Sequence, residues 1–251
     1  MRPSEYDELD RVEDRMWWFA AMHGNLLMAM RRSARCTPDL PILDAGCGTG
    51  RLLSRLAGDY PGRPVIGLDL DFRACSRALV KSAQPVCAGS VNHLPFADAA
   101  LGGIFSADVL CHDGVDEGRA LQEFHRCLAR DGWLILNLPA YEWMLSRHDL
   151  AVSNVRRYTA TGLRRLLKAV GFHRVYVSYW NAMLFPLMVI TRKLTARDSG
   201  IVSDVKLYPR PVDLLCRGAT AFEALLLRRG VRFPFGGSIL AAAVKPGNGC
   251  D

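Results

Sequence analysis

The chain has no C-x-x-C pair among its eight cysteines and no cysteine and histidine cluster with zinc-like spacing, which sets aside a redox dithiol and a structural zinc site. Several cysteines fall inside apolar runs, where they read as small buried hydrophobes, and a reducing cytoplasm is the expected setting. No apolar run approaches the roughly 20 residues that a membrane span needs. The longest, around Ala182 to Ile190, is far shorter. The segment Met1 to Asp14 is rich in charge and lacks the apolar centre of a signal peptide.

What is present suffices for one large domain. A chain of 251 residues, half of them hydrophobic, accommodates an α/β domain with an insertion and leaves little room for a second domain. Its formal charge of +7 favours anionic partners without identifying one.

The stretch Ile42-Leu43-Asp44-Ala45-Gly46-Cys47-Gly48-Thr49-Gly50 reads as a buried strand running into a glycine turn and then a helix. Gly46, Gly48 and Gly50 permit positive φ and let a ligand approach the backbone. Glycines also build ordinary tight turns, so this signal alone is weak. A second one follows 19 residues after Gly50, where Val65-Ile66-Gly67-Leu68-Asp69 reads as a short strand ending in a carboxylate. An acid at that distance is where open α/β sheets hold ribose hydroxyls. The two signals together specify a nucleoside cofactor. The spacing is G-x-G-x-G with Asp44 just before it, whereas dinucleotide sites usually read G-x-G-x-x-G. A carboxylate there repels pyrophosphate and suits an ammonium and a sulfonium, as in S-adenosylmethionine.

At these residues the chain resembles the class I S-adenosylmethionine-dependent methyltransferases, and the resemblance extends in aggregate over Leu43 to Tyr179. It implies a Rossmann-like, seven-stranded, mostly parallel sheet with helices on both faces, to which this chain is expected to add an N-terminal helix and, where the simple class I fold would turn back at once, a helical insertion before the last strand. Asp69 matches the family's ribose acid, with Leu70 beside it. Ser90 and Val91 border the adenine in that pattern, Ser90 standing where an aspartate is usual. Asp108-Val109-Leu110-Cys111-His112 resembles the D-V-L-x-H element, which places Asp108 near the methionine half of the cofactor. The implied cofactor contacts are therefore Asp44, Gly46, Cys47, Gly48, Gly50, Asp69, Leu70, Ser90, Val91 and Asp108. His112 reads either as a structural hydrogen-bonding histidine or as a proton acceptor near the methyl group.

Around this frame, apolar spacing predicts one long helix over Asp10 to Arg32. Its Trp17 and Trp18 point in different directions, so that one faces the core and the other lines a pocket, or both simply pack. The Trp-Trp-Phe pattern resembles a bacterial subgroup of the family, with Met16 where a histidine is expected. Further helices are expected at Arg51 to Leu56, Phe72 to Lys81, Ala120 to Leu128 (stopped by Arg130-Asp131-Gly132) and Thr161 to Val170. Strands are expected at Val86 to Gly89, Gly103 to Ala107, Trp133 to Pro139, Phe172 to Tyr179 and Ser238 to Val244.

Two segments are candidates for the acceptor side. The first runs from Tyr141 to Tyr158, past the end of strand five, and resembles the subgroup's S-R-H-D and R-R-Y elements. There His148 is the expected general base, oriented by a neighbouring acid, with Tyr158 and an arginine positioning the acceptor. The competing reading is that these residues pin the loop to the core. The second is the insertion 181–236, whose nine basic and four acidic residues give a net +5. Its apolar runs with basic flanks suit a helix on an anionic membrane surface, a lid over a lipidic acceptor, or a helical cover for the sheet edge.

The expected function is S-adenosylmethionine-dependent methyl transfer to a small or lipid-like acceptor at oxygen or carbon. The end of strand four, Ala107-Asp108-Val109-Leu110, lacks the N/D-P-P-aromatic motif of base-methylating enzymes, so no nucleic-acid partner is expected, and no metal constellation is visible. The expected location is the cytoplasm, with peripheral membrane contact as an option. Two alternatives stand beside this. Departures from the family at Ser90, Gly102 and Gly103 suit a non-catalytic cofactor-binding partner protein, and a nicotinamide-dependent oxidoreductase is disfavoured by the glycine spacing and Asp44.

Overall fold

The structure is a computed structural model that describes residues 3–33, 38–60, 62–146, 149–150, 152–195 and 207–247. Its centre is a seven-stranded sheet in the order β3-β2-β1-β4-β5-β7-β6. The strands are β1 (Ile42–Ala45), β2 (Val65–Asp69), β3 (Val86–Ala88), β4 (Leu101–Ala107), β5 (Leu128–Pro139), β6 (His173–Trp180) and β7 (Ser238–Val244). β7 runs antiparallel to both β5 and β6, while the pairs from β3 through β5 are parallel. Strands β1 to β3 grow outward in one direction and β4 onward in the other. The switch point thus lies between the carboxyl ends of β1 and β4, where such sheets bind ligands.

Eight α-helices are described: α1 (Pro3–Val12), α2 (Trp17–Ser33), α3 (Arg51–Asp59), α4 (Phe72–Ser82), α5 (Glu117–Cys127), α6 (Ala160–Val170), α7 (Phe185–Thr195) and α8 (Arg210–Arg228). One core, with Leu121 and Phe124 of α5 and Leu163 and Leu167 of α6, fills one face of the sheet. The other core is built from α2, α3 and Leu227 at the end of α8. α8 packs chiefly against α2, so the insertion extends the second layer. Its residues 196–206 lie outside the described residues, and among those described no helix is long and apolar enough to cross a membrane.

Three local differences from the sequence expectations have physical causes. The expected N-terminal helix is two helices, because Glu13 at the break turns inward, 6% exposed, to meet Thr49 and Lys81. The stop expected at Arg130-Asp131-Gly132 is instead a bulge within β5. Asp131 adopts φ +62°, and its amide donates to the Lys245 carbonyl. The glycines at 102 and 103 answer to packing: a Cβ at Gly103 would lie 2.1 Å from Cζ2 of the fully buried Trp133. The absent side chain at Gly103 makes room for that indole.

Candidate functional site

The turn after β1 is held in the left-handed region at Gly46 (φ +87°), Gly48 (φ +54°) and Gly50 (φ +96°), where side chains are strained. The sequence suggested that these glycines admit a ligand, but two of them admit the protein's own chain. A Cβ at Gly46 would lie 2.1 Å from Val109 Cγ2, and one at Gly50 would lie 2.6 Å from the Ala78 backbone in α4. Only at Gly48 is the neighbour a flexible tip, Leu9 Cδ2 at 3.4 Å. The amides of Gly46 and buried Cys47 both donate to the Leu68 carbonyl, tying the turn to β2.

Asp69 at the end of β2 accepts the Gly48 amide on Oδ2 at 2.8 Å. Its Oδ1 accepts the Asp71 amide at 3.0 Å and the Tyr6 hydroxyl at 3.3 Å. Asp44 is 1% exposed and its Oδ2 has no hydrogen-bond partner. Burial, then the nearby charges of Asp69 and Glu13, push its carboxyl up to about 8. Glu13 accepts the Thr49 hydroxyl at 2.6 Å and is paired with Lys81. Three carboxylates thus surround one turn, and one of them keeps a buried, unpartnered oxygen. A positively charged ligand fits such a site, because it supplies the missing partner and relieves the mutual repulsion. Tyr6 and Glu13 went unnoticed in the sequence because no motif marks them; α1 and the turn after α1 bring them to the loop, where Glu13 meets Thr49.

At the end of β4, Asp108 takes φ +55°, and its two oxygens each lie 3.1 Å from Asn137 Nδ2. Asn137 in turn accepts the Trp180 indole N–H at 2.8 Å. Burial pushes the Asp108 carboxyl up to about 7, with the Asn137 hydrogen bond opposing it. Trp180 stacks on Trp18 at 6.0 Å, while Trp17 is buried. His112 is half-buried, and burial pushes its imidazole down to about 4, so it is neutral at physiological pH. Ser90 Oγ accepts the Asn92 amide, and Val91 is buried. Leu70 and Phe72 stand exposed beside Asp69, at 78% and 75%.

The Tyr141 to Tyr158 segment departs most from expectation. Asp149 is fully buried, and Arg157 donates to it through Nε at 3.0 Å and Nη2 at 2.8 Å, with Ser146 on the other oxygen. Burial pushes the Asp149 carboxyl up, but the Arg157 guanidinium overcomes this and holds it below its ordinary value. The acid expected to orient His148 is therefore engaged with Arg157. His148 itself lies outside the described residues. Tyr158 is buried, its hydroxyl 2.8 Å from Glu117 Oε2 and 2.9 Å from the Leu110 carbonyl, and Arg156 donates to the carbonyls of Leu110 and Val115. These contacts turn Tyr158 and Arg156 toward the protein, the brace that the sequence offered as the competing reading.

What the segment does present outward is aromatic. Tyr141 stacks on Tyr179 at 5.1 Å and on Trp143 at 5.7 Å, with Phe185 5.5 Å away. Trp143 is 60% exposed. Among the described residues no group of three or more His, Cys, Asp or Glu side chains is placed to hold a metal ion.

With this geometry in view, residues 43–136 match the family model described as a methyltransferase domain. Over residues 43–136 the chain is similar to the methyltransferase domains of the class I S-adenosylmethionine-dependent enzymes. It is similar to a malonyl-[acyl-carrier protein] O-methyltransferase of Dechloromonas aromatica (strain RCB), 34% identical over 134 residues, 51% of this chain and 49% of that one. The chain spans about half the length of the curated relatives it matches. Among solved structures, a Thermotoga maritima protein described as a possible histamine N-methyltransferase aligns at TM-score 0.57 and 19% identity, covering 91% of this chain and 93% of the other. The [4+2]-cyclase SpnF aligns at TM-score 0.60 and 19% identity, covering 93% and 84%. These structural likenesses establish the shared fold; the same fold serves different chemistry.

Proposed function

We propose that the chain transfers the methyl group of S-adenosylmethionine to a small or lipid-like acceptor, at oxygen or carbon. The observation that carries this reading is the buried, unpartnered Asp44 Oδ2 beside Asp69 and Glu13 at the switch point of the sheet. When bound, the cofactor supplies an electrophilic methyl group on a sulfonium. The chain's residues then bind and align: Asp69 takes the ribose hydroxyls, Asp44 and Asp108 face the cationic amino-acid half, and Leu70 and Val91 flank the adenine. Methyl transfer is a direct displacement, so alignment and exclusion of water supply much of the rate. An acceptor that must lose a proton also needs a base. His112 and His148 are the candidates for that role.

The acceptor side supports an apolar molecule. The rings of Tyr141, Trp143 and Phe185 gather past the ends of β5 and β6, and α7 exposes Leu187 and Ile190 close by in sequence. Leu214, Leu215 and Phe222 of α8 are exposed as well. With the basic residues of the insertion, these suit a lipidic acceptor or contact with an anionic membrane surface. Incubation of the full chain with methyl-labelled S-adenosylmethionine and fractionated lipid and small-molecule extracts tests the reading. Label should appear in an apolar or carboxylic fraction. Label confined to water-soluble amines or to nucleic acid contradicts it.

A further inference from the structure

We propose that Tyr6 gates the cofactor site: its phenol occupies the carboxylate oxygen that a bound ribose needs, and cofactor entry displaces it. This rests on the cofactor reading above. Asp69 Oδ2 is taken by the Gly48 amide, and Oδ1 is shared by the Asp71 amide and the Tyr6 hydroxyl. The two amides are fixed in the glycine turn and the entry to α4, whose first residues are capped by the Asp71 side chain. Tyr6 is the one of the three donors that moves without rebuilding the site, and at 3.3 Å it makes the longest of the three bonds. It is also a hydroxyl, so it presents to Asp69 the same donor type that a ribose does.

The rest of α1 is fastened unevenly. Near its end, Glu13 is buried against Thr49 and Lys81, and Leu9 lies over Gly48. Toward its start, Asp7 pairs with Arg77 at the surface, where an ion pair contributes little. Among the described side chains, α1 is therefore anchored at the Glu13 end and held more lightly at the Tyr6 end, which is the arrangement of a flap hinged beside the site. Burial and the Asp69 charge push the Tyr6 phenol up, so it remains a donor throughout the working pH range.

Tyr6→Phe keeps the ring and the helix and removes only the competing donor. S-adenosylmethionine is expected to bind this variant more tightly, on the order of threefold to tenfold, the net worth of one ordinary hydrogen bond, as suits a contact of 3.3 Å. In an Asp69→Ala background the same change should shift nothing. Unchanged or weaker binding by Tyr6→Phe overturns the proposal, as does a gain that persists without Asp69. Failure of the cofactor reading looks different: neither the natural chain nor Tyr6→Phe binds although both melt cooperatively, which overturns both claims. Binding by the variant alone supports the gate.

Discussion

Arg157 closes on Asp149 with both Nε and Nη2 in a fully buried pair, and Arg157 Nη1 donates onward to the Ala140 carbonyl just past β5. The pair thereby ties the loop that follows β5 to the sheet. Removing one partner of such a pair leaves a buried charge alone. Arg157→Ala should cost about 3–5 kcal/mol of stability, read as a fall in chemical-denaturation midpoint. The depressed Asp149 carboxyl adds a pH signature. The pair's contribution is present above the ordinary carboxylate value of 3.8 and is lost as pH falls through the lower folded-state value, so Arg157→Ala should erase part of the acid sensitivity. A variant of unchanged midpoint contradicts the bracing role.

Asp44 behaves in the opposite sense. Its folded-state value of about 8 lies above its ordinary 3.8, so the folded, cofactor-free chain binds the extra proton and loses stability as pH rises from about 4 toward about 8. A cationic ligand favours the ionised carboxylate, so affinity for S-adenosylmethionine should rise between pH 6 and 8. Asp44→Asn should flatten both trends, measurable by thermal melts and titrations across that range. A pH slope that survives in Asp44→Asn places its origin elsewhere.

Gly50 and Gly58 offer a paired test of the turn. At Gly50 a Cβ meets the Ala78 backbone at 2.6 Å in a left-handed conformation, whereas at Gly58, inside α3, it meets nothing within 4 Å. Gly50→Ala should lower the melting temperature sharply through strain and overpacking. Gly58→Ala should raise stability by about 0.5–1 kcal/mol through helix propensity. Equal effects at the two sites would remove the packing argument.

Asn137 serves Asp108 and Trp180 at once. Asn137→Leu fits the strand but strands a carboxylate and an indole N–H, which should cost about 1–3 kcal/mol for each buried group left unsatisfied. Bound cofactor should recover part of that loss if Asp108 faces its cationic half, so the stabilisation by S-adenosylmethionine should be larger in the variant than in the natural chain. A smaller one would take Asp108 out of the cofactor site.

The sheet was legible because strands β1, β2 and β4 are short apolar runs that end in glycine or acid, and Asp44, Asp69 and Asp108 mark their carboxyl ends. Local pattern is a good guide where burial is two-sided and continuous. It fails where a role depends on distant chain. Nothing near Glu13 announces Thr49 and Lys81, and nothing near Tyr6 announces Asp69, 63 residues away. The same holds at Gly103, whose absent side chain answers to Trp133. On the acceptor side, a polar cluster from Ser146 to Tyr158 looked chemical in sequence, yet Arg156, Arg157 and Tyr158 spend their hydrogen bonds on Asp149, Glu117 and backbone carbonyls. A run of charged and aromatic residues has the same composition whether it grips a substrate or a loop; only the partners distinguish them.

The most direct test of the central claim is isothermal titration of the full chain with S-adenosylmethionine and, separately, S-adenosylhomocysteine, repeated with Asp69→Ala. Saturable binding of both ligands by the natural chain, markedly weakened in the variant, is the predicted result. A folded chain that binds neither, or a variant whose dissociation constants are unchanged, would contradict the placement of the cofactor at Asp44 and Asp69.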